Sequence, residues 1–268
     1  MTGTTLRIVL AASLWASSSP ALAQRAQGEP GCLALTQPDR LQGLTPEGDL
    51  NLASGRLAKL SGIRLPDEPP HRDMALSWLR ARIDRSIRVE ASSGTPDRWN
   101  RVSVRIQPSE EPAAPNWSRA LVEAGLAIVD PGLDEVFCQP ELLPLEAFAR
   151  ERRLGVWADD RYKPLDVSQP ERLRDRAGRF VLVEGRIRSI GERTQRTYLN
   201  FGGLWAEDFT IIIPRKTWKR MSDRGMGAEA LKGQRIRARG ILQPWQGTAF
   251  SIVIPEMIER LEGDRLPR

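Results

Sequence analysis

Five short apolar segments, separated by turn residues and one helical turn, occupy the last third of the chain and restrict its fold more than any other feature. The spacing of apolar and turn residues predicts strands at 180–190, 197–201, 208–213, 234–242 and 249–254. A helical turn at 215–221 separates the third strand from the fourth. Three strands, a helix and two strands form the order of a small Greek-key barrel.

The first half has a similar alternation of short strands and helices. A hairpin is expected at 50–53 and 56–63, and further strands at 86–91 and 101–106. Helical spacing follows residue 74, Asn116 can cap a second helix, and a third helix is expected over 141–153. Residues 159–176 are polar and contain two prolines, which favours a linker with a short helical piece. The sequence therefore predicts a mainly β protein with peripheral helices.

The N-terminus has the pattern of a secretory signal peptide. Arg7 precedes a short apolar run at 8–16, and Ala21-Leu22-Ala23 is a small-residue cleavage signal. An uncleaved membrane anchor is the alternative, but the apolar run is short for a membrane span. We expect a signal peptide at 1–23, cleavage before Gln24, no transmembrane segment in the mature chain, and export to the periplasm or the medium.

The chain has two cysteines, Cys32 and Cys138, and one histidine, His71. In an oxidising compartment the even count favours a disulfide bond, with two buried thiols as the alternative. So few histidines and cysteines do not make up a zinc site of the usual ligand number. A serine–histidine–aspartate apparatus is also not expected, because His71 lies in a proline-rich turn.

Several motifs between residues 42 and 159 resemble the staphylococcal nuclease-like (thermonuclease) family. The similarity lies in LAKLSGIRLPD at 57–67, DRWNR at 97–101, LVEAGLA at 121–127, and EAFAR with LGVWA at 146–150 and 154–158. The last three segments are similar to helices and helix ends of that family. The resemblance implies that 24–158 is a nuclease-like barrel of the OB-fold type. The strand order of the second half predicts a second OB-like barrel at 177–268.

The family's activity is calcium-assisted phosphodiester hydrolysis, in which two arginines neutralise phosphate charge and a glutamate activates water. In this chain the resemblance assigns those three catalytic positions to Lys59, Arg101 and Asp67. Lysine lacks the bidentate fork of arginine. Aspartate is one methylene shorter than glutamate, and a misplacement of about 1 Å can cost on the order of 10²-fold in rate.

The positions that the resemblance assigns to metal ligands match the family less well than the catalytic positions do. One aspartate position of the family is occupied by Arg64, and the other falls on Gly48, next to Asp49. Calcium prefers several hard oxygen ligands. At most Asp49 and Asp67 are on offer here, with the cation Arg64 opposing them, and Asp49 is the candidate metal ligand. We expect a bound Ca²⁺ only if the nuclease site is functional, and no other cofactor.

Charge and aromatic residues favour the second half as a binding module. From residue 170 onward, Lys and Arg outnumber Asp and Glu by 20 to 12, whereas over 24–169 they are outnumbered by 22 to 19. Alternation places several arginines on one strand face, and exposed aromatics can stack on bases. The predicted nucleic-acid-binding residues are Arg186, Arg188, Arg235, Arg237, Arg239, Trp205 and Trp245. The alternative is a solvated face of arginines paired with glutamates.

Three functions remain open from the sequence. The first is an exported protein that binds single-stranded nucleic acid or another polyanion through its OB modules and has weak or lost nuclease activity. The second is an active calcium-dependent phosphodiesterase of DNA or RNA. The third is an envelope protein whose basic module contacts anionic lipid or polymer.

Overall fold

The computed structural model describes residues 32, 35–91, 95–133, 136–203 and 208–261. The predicted signal peptide and Trp205 lie outside these residues. The prediction of a mainly β protein is confirmed. The first half comprises β1 Thr36–Leu44, β2 Leu50–Leu52, β3 Leu57–Leu60, β4 Ile63–Arg64, α1 His71–Arg80, β5 Ser86–Ala91, β6 Arg101–Pro108, α2 Trp117–Glu123, β7 Ile128–Val129 and α3 Leu142–Glu151.

Five strands of the first half close into a barrel in the order β1-β2-β3-β6-β5. The β3 and β6 strands are parallel, with Leu57 opposite Arg101, and the other neighbours are antiparallel. Alternate residues of each strand point inward, because successive side chains of a strand face opposite sides. Ala58, Ile87, Val104 and Ile106 are fully buried in this way.

The α2 and α3 helices pack against each other beside the barrel, and local chemistry sets where they end. The α2 helix starts at the predicted cap, where Asn116 Oδ1 accepts a hydrogen bond of 2.9 Å from the Arg119 amide. It ends before Gly125, whose φ is +66°, in the left-handed region that glycine tolerates. A Cβ on Gly125 would lie 2.2 Å from the carbonyl oxygen of Leu154, which follows α3. The end of α2 therefore meets the segment after α3 backbone to backbone.

The second half comprises β8 Leu165–Asp166, α4 Pro170–Arg174, β9 Phe180–Arg186, β10 Ser189–Glu192, β11 Arg196–Asn200, β12 Phe209–Pro214, α5 Arg215–Asp223, α6 Ala228–Leu231, β13 Arg235–Ile241, β14 Gln243–Trp245, β15 Gly247–Ser251 and β16 Ile258–Arg260. These strands form two sheets, β10-β11-β12-β15-β14 and β16-β13-β9-β8. The β12 and β15 strands are parallel, as β3 and β6 are in the first half.

The segment expected to be a linker is folded. Its β8 strand pairs in parallel with β9, and Leu173 of α4 is fully buried. The two halves also share buried apolar residues, since Ile128, Ala149 and Trp157 form one cluster with Leu182 of β9. The halves are therefore packed against each other through a hydrophobic contact.

The predicted disulfide bond is confirmed. Cys32 and Cys138 are bonded, with their Cα atoms 5.4 Å apart, and the described residues contain no other cysteine. The bond ties the segment before β1 to the loop before α3. In the described part of the chain, no helix combines the length and apolar character that a membrane crossing requires.

Candidate functional site

Three of the residues assigned by the nuclease resemblance lie together on the outside of the first barrel. Lys59 is in β3, Arg101 is the first residue of the parallel strand β6, and Asp49 precedes β2. Asp97, from the turn before β6, joins them. Arg101 donates from Nη1 to Asp49 Oδ1 at 3.2 Å and from Nη2 to Asp97 Oδ2 at 2.9 Å, and Lys59 Nζ lies 3.6 Å from the same Asp97 oxygen.

The turn that presents Arg101 is built by Asp97. Its Oδ1 accepts hydrogen bonds of 3.0 Å from the amides of Trp99 and Arg101, which is the local bonding that favours aspartate in turns. Asn100 has a φ of +62°, and asparagine adopts this left-handed conformation more readily than most residues with a side chain. Trp99 is 56% exposed, and the guanidinium carbons of Arg98 and Arg101 lie 3.8 and 4.7 Å from its ring centroid.

The charges of this cluster are largely satisfied internally. Burial raises the pKa of Asp97, but hydrogen bonds from the Arg101 side chain and from the turn amides outweigh it and hold that pKa at about 2. Burial also raises the pKa of Asp49 above its ordinary value, against the attraction of Arg101. Because Arg101 bonds to two carboxylates, a phosphate that binds here competes with them for the guanidinium.

The remaining two assigned residues are bound elsewhere. Asp67 is exposed, and its Oδ2 lies 3.8 Å from Nη1 of Arg179, near the start of β9. Within the described residues it forms no ion pair with Lys59 or Arg101. Arg64 donates to Asp130 Oδ2 from Nε at 3.0 Å and from Nη2 at 2.8 Å, and its guanidinium lies 4.9 Å from the Phe180 ring centroid. Arg64 is thus a structural residue that links β4 to the second half.

The residues at the metal positions do not fit a calcium ion. The candidate ligand Asp49 already accepts from Arg101, and the cation Arg64 occupies a position that the nuclease resemblance assigns to a metal-binding aspartate. Calcium takes six to eight oxygen ligands. The described segments bring together no three histidine, cysteine, aspartate or glutamate side chains in a metal-binding arrangement.

The predicted arginine face of β13 is not a solvent-exposed surface. Arg239 is fully buried, and its guanidinium donates to the Val129 carbonyl at 2.8 Å and pairs with Glu146 at 2.9 Å and with Glu259. Glu146 belongs to α3, so this strand face packs against the first half. Arg239 therefore cannot reach a nucleic acid, and that part of the prediction is wrong.

Arg235 and Arg237 are close to the same interface. Their side chains are 15% and 14% exposed, and both pair with Glu184 of the neighbouring strand β9, at 3.0 and 2.6 Å. The sequence-based alternative is therefore right about the pairing with a glutamate, but these arginines do not form a solvated face. Arg186 and Arg188 are exposed: Arg186 Nη1 donates to the Gly233 carbonyl at 2.8 Å, and the Arg188 guanidinium lies against Gly203.

A cluster of cations that the sequence analysis did not single out lies at one end of the other sheet. It is formed by the β10–β11 turn and the start of α5. These two segments are in contact, and the Arg215 amide donates a hydrogen bond of 3.0 Å to the Gln195 carbonyl. The exposed residues Arg193, Arg196, Arg215 and Lys216 make up this cluster, termed here the basic surface. None of the four has a described carboxylate within 4.0 Å, and the adjacent Glu192 accepts instead from Trp218 Nε1 at 3.0 Å.

Trp245 extends the basic surface. It is 45% exposed, and together with Arg196 it lines a shallow pocket of about 320 Å³. The remaining lining residues, Ile212, Pro214, Gln243, Ala249, Phe250 and Ser251, are uncharged. Of the predicted nucleic-acid-binding residues, Trp245 thus lies beside one cation of the basic surface, Arg196. The sequence signal for the basic surface consists of ERTQR at 192–196 and PRK at 214–216. These two segments show no strand periodicity, so a search for alternating arginines does not find them.

Comparisons with known proteins add little to these observations. No protein-family model matches the chain, and no curated protein matches it. Among solved structures, a similar one is a crystal structure from Leishmania major Friedlin, provisionally described as an aspartyl-tRNA synthetase, with a TM-score of 0.29 and 11% identity. The match covers 38% of this chain and 21% of that protein. A likeness of this size carries no argument about fold or function.

Proposed function

We propose that the chain is an exported protein of two OB-type barrels, the first nuclease-like, and that it binds single-stranded nucleic acid without efficient cleavage. The binding is assigned to the second half, through backbone contacts of the basic surface and base stacking on Trp245. The proposal rests most on one observation: four exposed cations without a described carboxylate partner form a cluster, and one of them, Arg196, lines a pocket together with the exposed Trp245. Cationic grooves combined with aromatic platforms are what such binding requires.

Strand order supports the assignment of both barrels to the OB type. The barrel of the first half consists of β1, β2, β3, β5 and β6. In it β3 pairs in parallel with β6, and β1 pairs with β2 and β5. The second half has the same order if β9 with β10 and β13 with β14 each count as one bent strand. Two residues separate the first pair and one residue separates the second.

The arrangement of the first half supports weak or lost cleavage. A phosphodiesterase of this type needs two cations available to the phosphate and a carboxylate that positions water. Here Arg101 and Lys59 both face Asp97, and Asp67 pairs with Arg179. Asp49 and Arg64 do not provide a calcium site. The active phosphodiesterase remains the second candidate, because Lys59, Arg101 and Asp49 do lie in one cluster.

The binding proposal is tested by the salt dependence of affinity for a fluorescent single-stranded oligonucleotide. Each phosphate contact contributes about 0.7 to the slope of log affinity against log salt on a single strand. The combined variant Arg193→Gln, Arg196→Gln and Arg215→Gln should therefore lower the slope by about 2. Trp245→Ala should weaken binding roughly 5-fold or more at every salt concentration, because stacking contributes about 1–3 kcal/mol per base.

A charge-matched control separates local contacts from net charge. The exposed cations Arg80, Arg172 and Lys232 lie outside the basic surface, and their combined replacement by glutamine should leave the slope nearly unchanged. Equal slopes for the two triple variants would refute the basic surface as the binding site. Binding to phosphatidylglycerol vesicles with no binding to the oligonucleotide would instead favour the envelope function.

A further inference from the structure

The first half contains a pocket that lies apart from both surfaces described above. It has a volume of about 370 Å³ and is formed by the end of α1, the start of β5, the end of β6 and the loop that leads into α2. Small-molecule sites typically have volumes of roughly 300–1,000 Å³ and combine apolar walls with a few polar groups. The size of this pocket falls within that range.

Two tryptophans and several small apolar residues form its walls. The rings of Trp78 and Trp117 meet edge to face, with centroids 6.1 Å apart. Trp117 and Ile87 are buried in the core beneath, which fixes their positions. Ala114 and Pro115, from the loop that leads into α2, also line the pocket. A rigid aromatic and aliphatic lining of this kind suits a planar apolar group.

Arg82 is the cation of the pocket without a carboxylate partner. Its guanidinium lies 3.2 Å from the Trp78 ring centroid and donates from Nη1 to the Trp78 carbonyl at 2.7 Å. The other lining arginine, Arg85, is paired with Glu110 at 3.0 Å. Within the described residues, no carboxylate lies within ion-pair distance of Arg82. Burial and the neighbouring charge of Arg85 lower the pKa of Arg82, and the charge of Glu111 opposes them.

We propose that this pocket binds a small organic acid, in which a planar apolar body occupies the space between the tryptophans and the loop, and a carboxylate accepts hydrogen bonds from Arg82. Stacking on Trp78 and the bond to its carbonyl hold the guanidinium in one orientation. The donors that remain on Arg82 are then available to a carboxylate, and such charge-assisted bonds are stronger than neutral ones. The acidic residues Glu110 and Glu111 also line the pocket, so a second anionic group on the ligand is disfavoured.

The test uses indole-3-acetate as the probe, with indole-3-acetamide and tryptamine as neutral and cationic analogues of similar shape. Binding to the purified protein is measured by calorimetry and by shifts of the tryptophan indole signals in ¹H–¹⁵N spectra, with the Trp78 signal assigned from Trp78→Phe. The acid should bind roughly tenfold more tightly than the amide, and the amine more weakly than either.

Two variants, one at the last residue of α1 and one in the turn that follows it, distinguish a specific contact from general charge. Arg82→Gln should reduce affinity for the acid about tenfold, to the level of the amide, whereas Arg80→Gln removes an exposed cation outside the pocket and should have no effect. Circular dichroism establishes that both variants fold. Equal binding of acid and amide, equal effects of the two variants, or no binding at millimolar probe would each overturn the proposal.

Discussion

Replacing Arg239 with glutamine should destabilise the protein strongly. The guanidinium is fully buried and contacts Glu146, which is fully buried itself, so the substitution leaves a carboxylate without its main partner. Breaking a buried ion pair from one side costs about 3–5 kcal/mol. The loss of unfolding free energy should lie near the lower end of this range, because Glu146 keeps two other partners. Arg150 remains 3.3 Å from Glu146, and the Val129 amide still donates to the Glu146 carboxylate at 2.7 Å.

We therefore expect Arg239→Gln to lower the free energy of unfolding by about 3 kcal/mol. In a chain of this size, that corresponds to a fall in Tm of roughly 6–12 °C. The measurement is urea denaturation followed by tryptophan fluorescence and circular dichroism. Adding Glu146→Gln should recover at least about 1 kcal/mol, because the buried charge is removed while the acceptor for Val129 is kept.

Arg237→Gln is the matched control for this prediction. Arg237 lies two residues before Arg239 on the same strand, but it is 14% exposed, and its partner Glu184 keeps Arg235. Its loss should cost roughly 1 kcal/mol, as expected for partly solvated pairs. Equal costs for the two variants, or a cost below about 1 kcal/mol for Arg239→Gln, would refute the assignment of Arg239 as a buried link between the halves.

Two further predictions concern acid stability and the disulfide bond. Because the pKa of Asp97 is held at about 2, its carboxylate contributes stability that is present above about pH 4 and lost as the pH falls through about 2. Asp97→Asn should therefore flatten the pH dependence of the free energy of unfolding in this interval, and an unchanged curve would argue against this contribution. Thiol titration in denaturant should find no reactive sulfhydryl, and replacing Cys32 and Cys138 with serine should cost up to about 4–5 kcal/mol; two reactive thiols per chain would contradict the bond.

Most strands and helices could be predicted from the sequence because their signals are local. Apolar alternation, the Asn116 cap and the glycines after helices each act within a few residues. The β1 strand is the main omission. Its sequence TQPDRLQGL contains Pro38 and one fully buried side chain, Leu41, so it shows no alternation. It is a strand because both its neighbours in the barrel require a partner, and this requirement arises only from the tertiary fold.

The arginines of β13 show the limit of periodicity as evidence. Alternation indicates that Arg235, Arg237 and Arg239 share one face of a strand. It does not indicate what lies opposite that face. Here the face meets α3, and Glu146 of that helix has no sequence signal that pairs it with Arg239. Local charge patterns therefore predicted a binding surface at a place where the two halves pack together.

The basic surface shows the converse limitation. Arg193 lies in a hairpin turn, Arg196 begins β11, Arg215 and Lys216 begin a helix, and Trp245 lies in another hairpin. Each segment is unremarkable as sequence, and only strand pairing brings them together. In the first half, by contrast, the motif positions of Lys59, Arg101 and Asp49 could be predicted as a cluster, but not the partners that Arg64 and Asp67 acquire from other segments.

The central claim, binding without efficient cleavage, is tested most directly by following one oligonucleotide in a single incubation. A labelled single strand is mixed with the purified protein and calcium at low salt, and both the bound fraction and the length of the strand are measured over time. The account predicts a strand that is bound and remains intact, with the bound fraction reduced by Arg193→Gln, Arg196→Gln and Arg215→Gln. Calcium-dependent shortening that Arg101→Ala abolishes, or an intact strand that never binds, would contradict it.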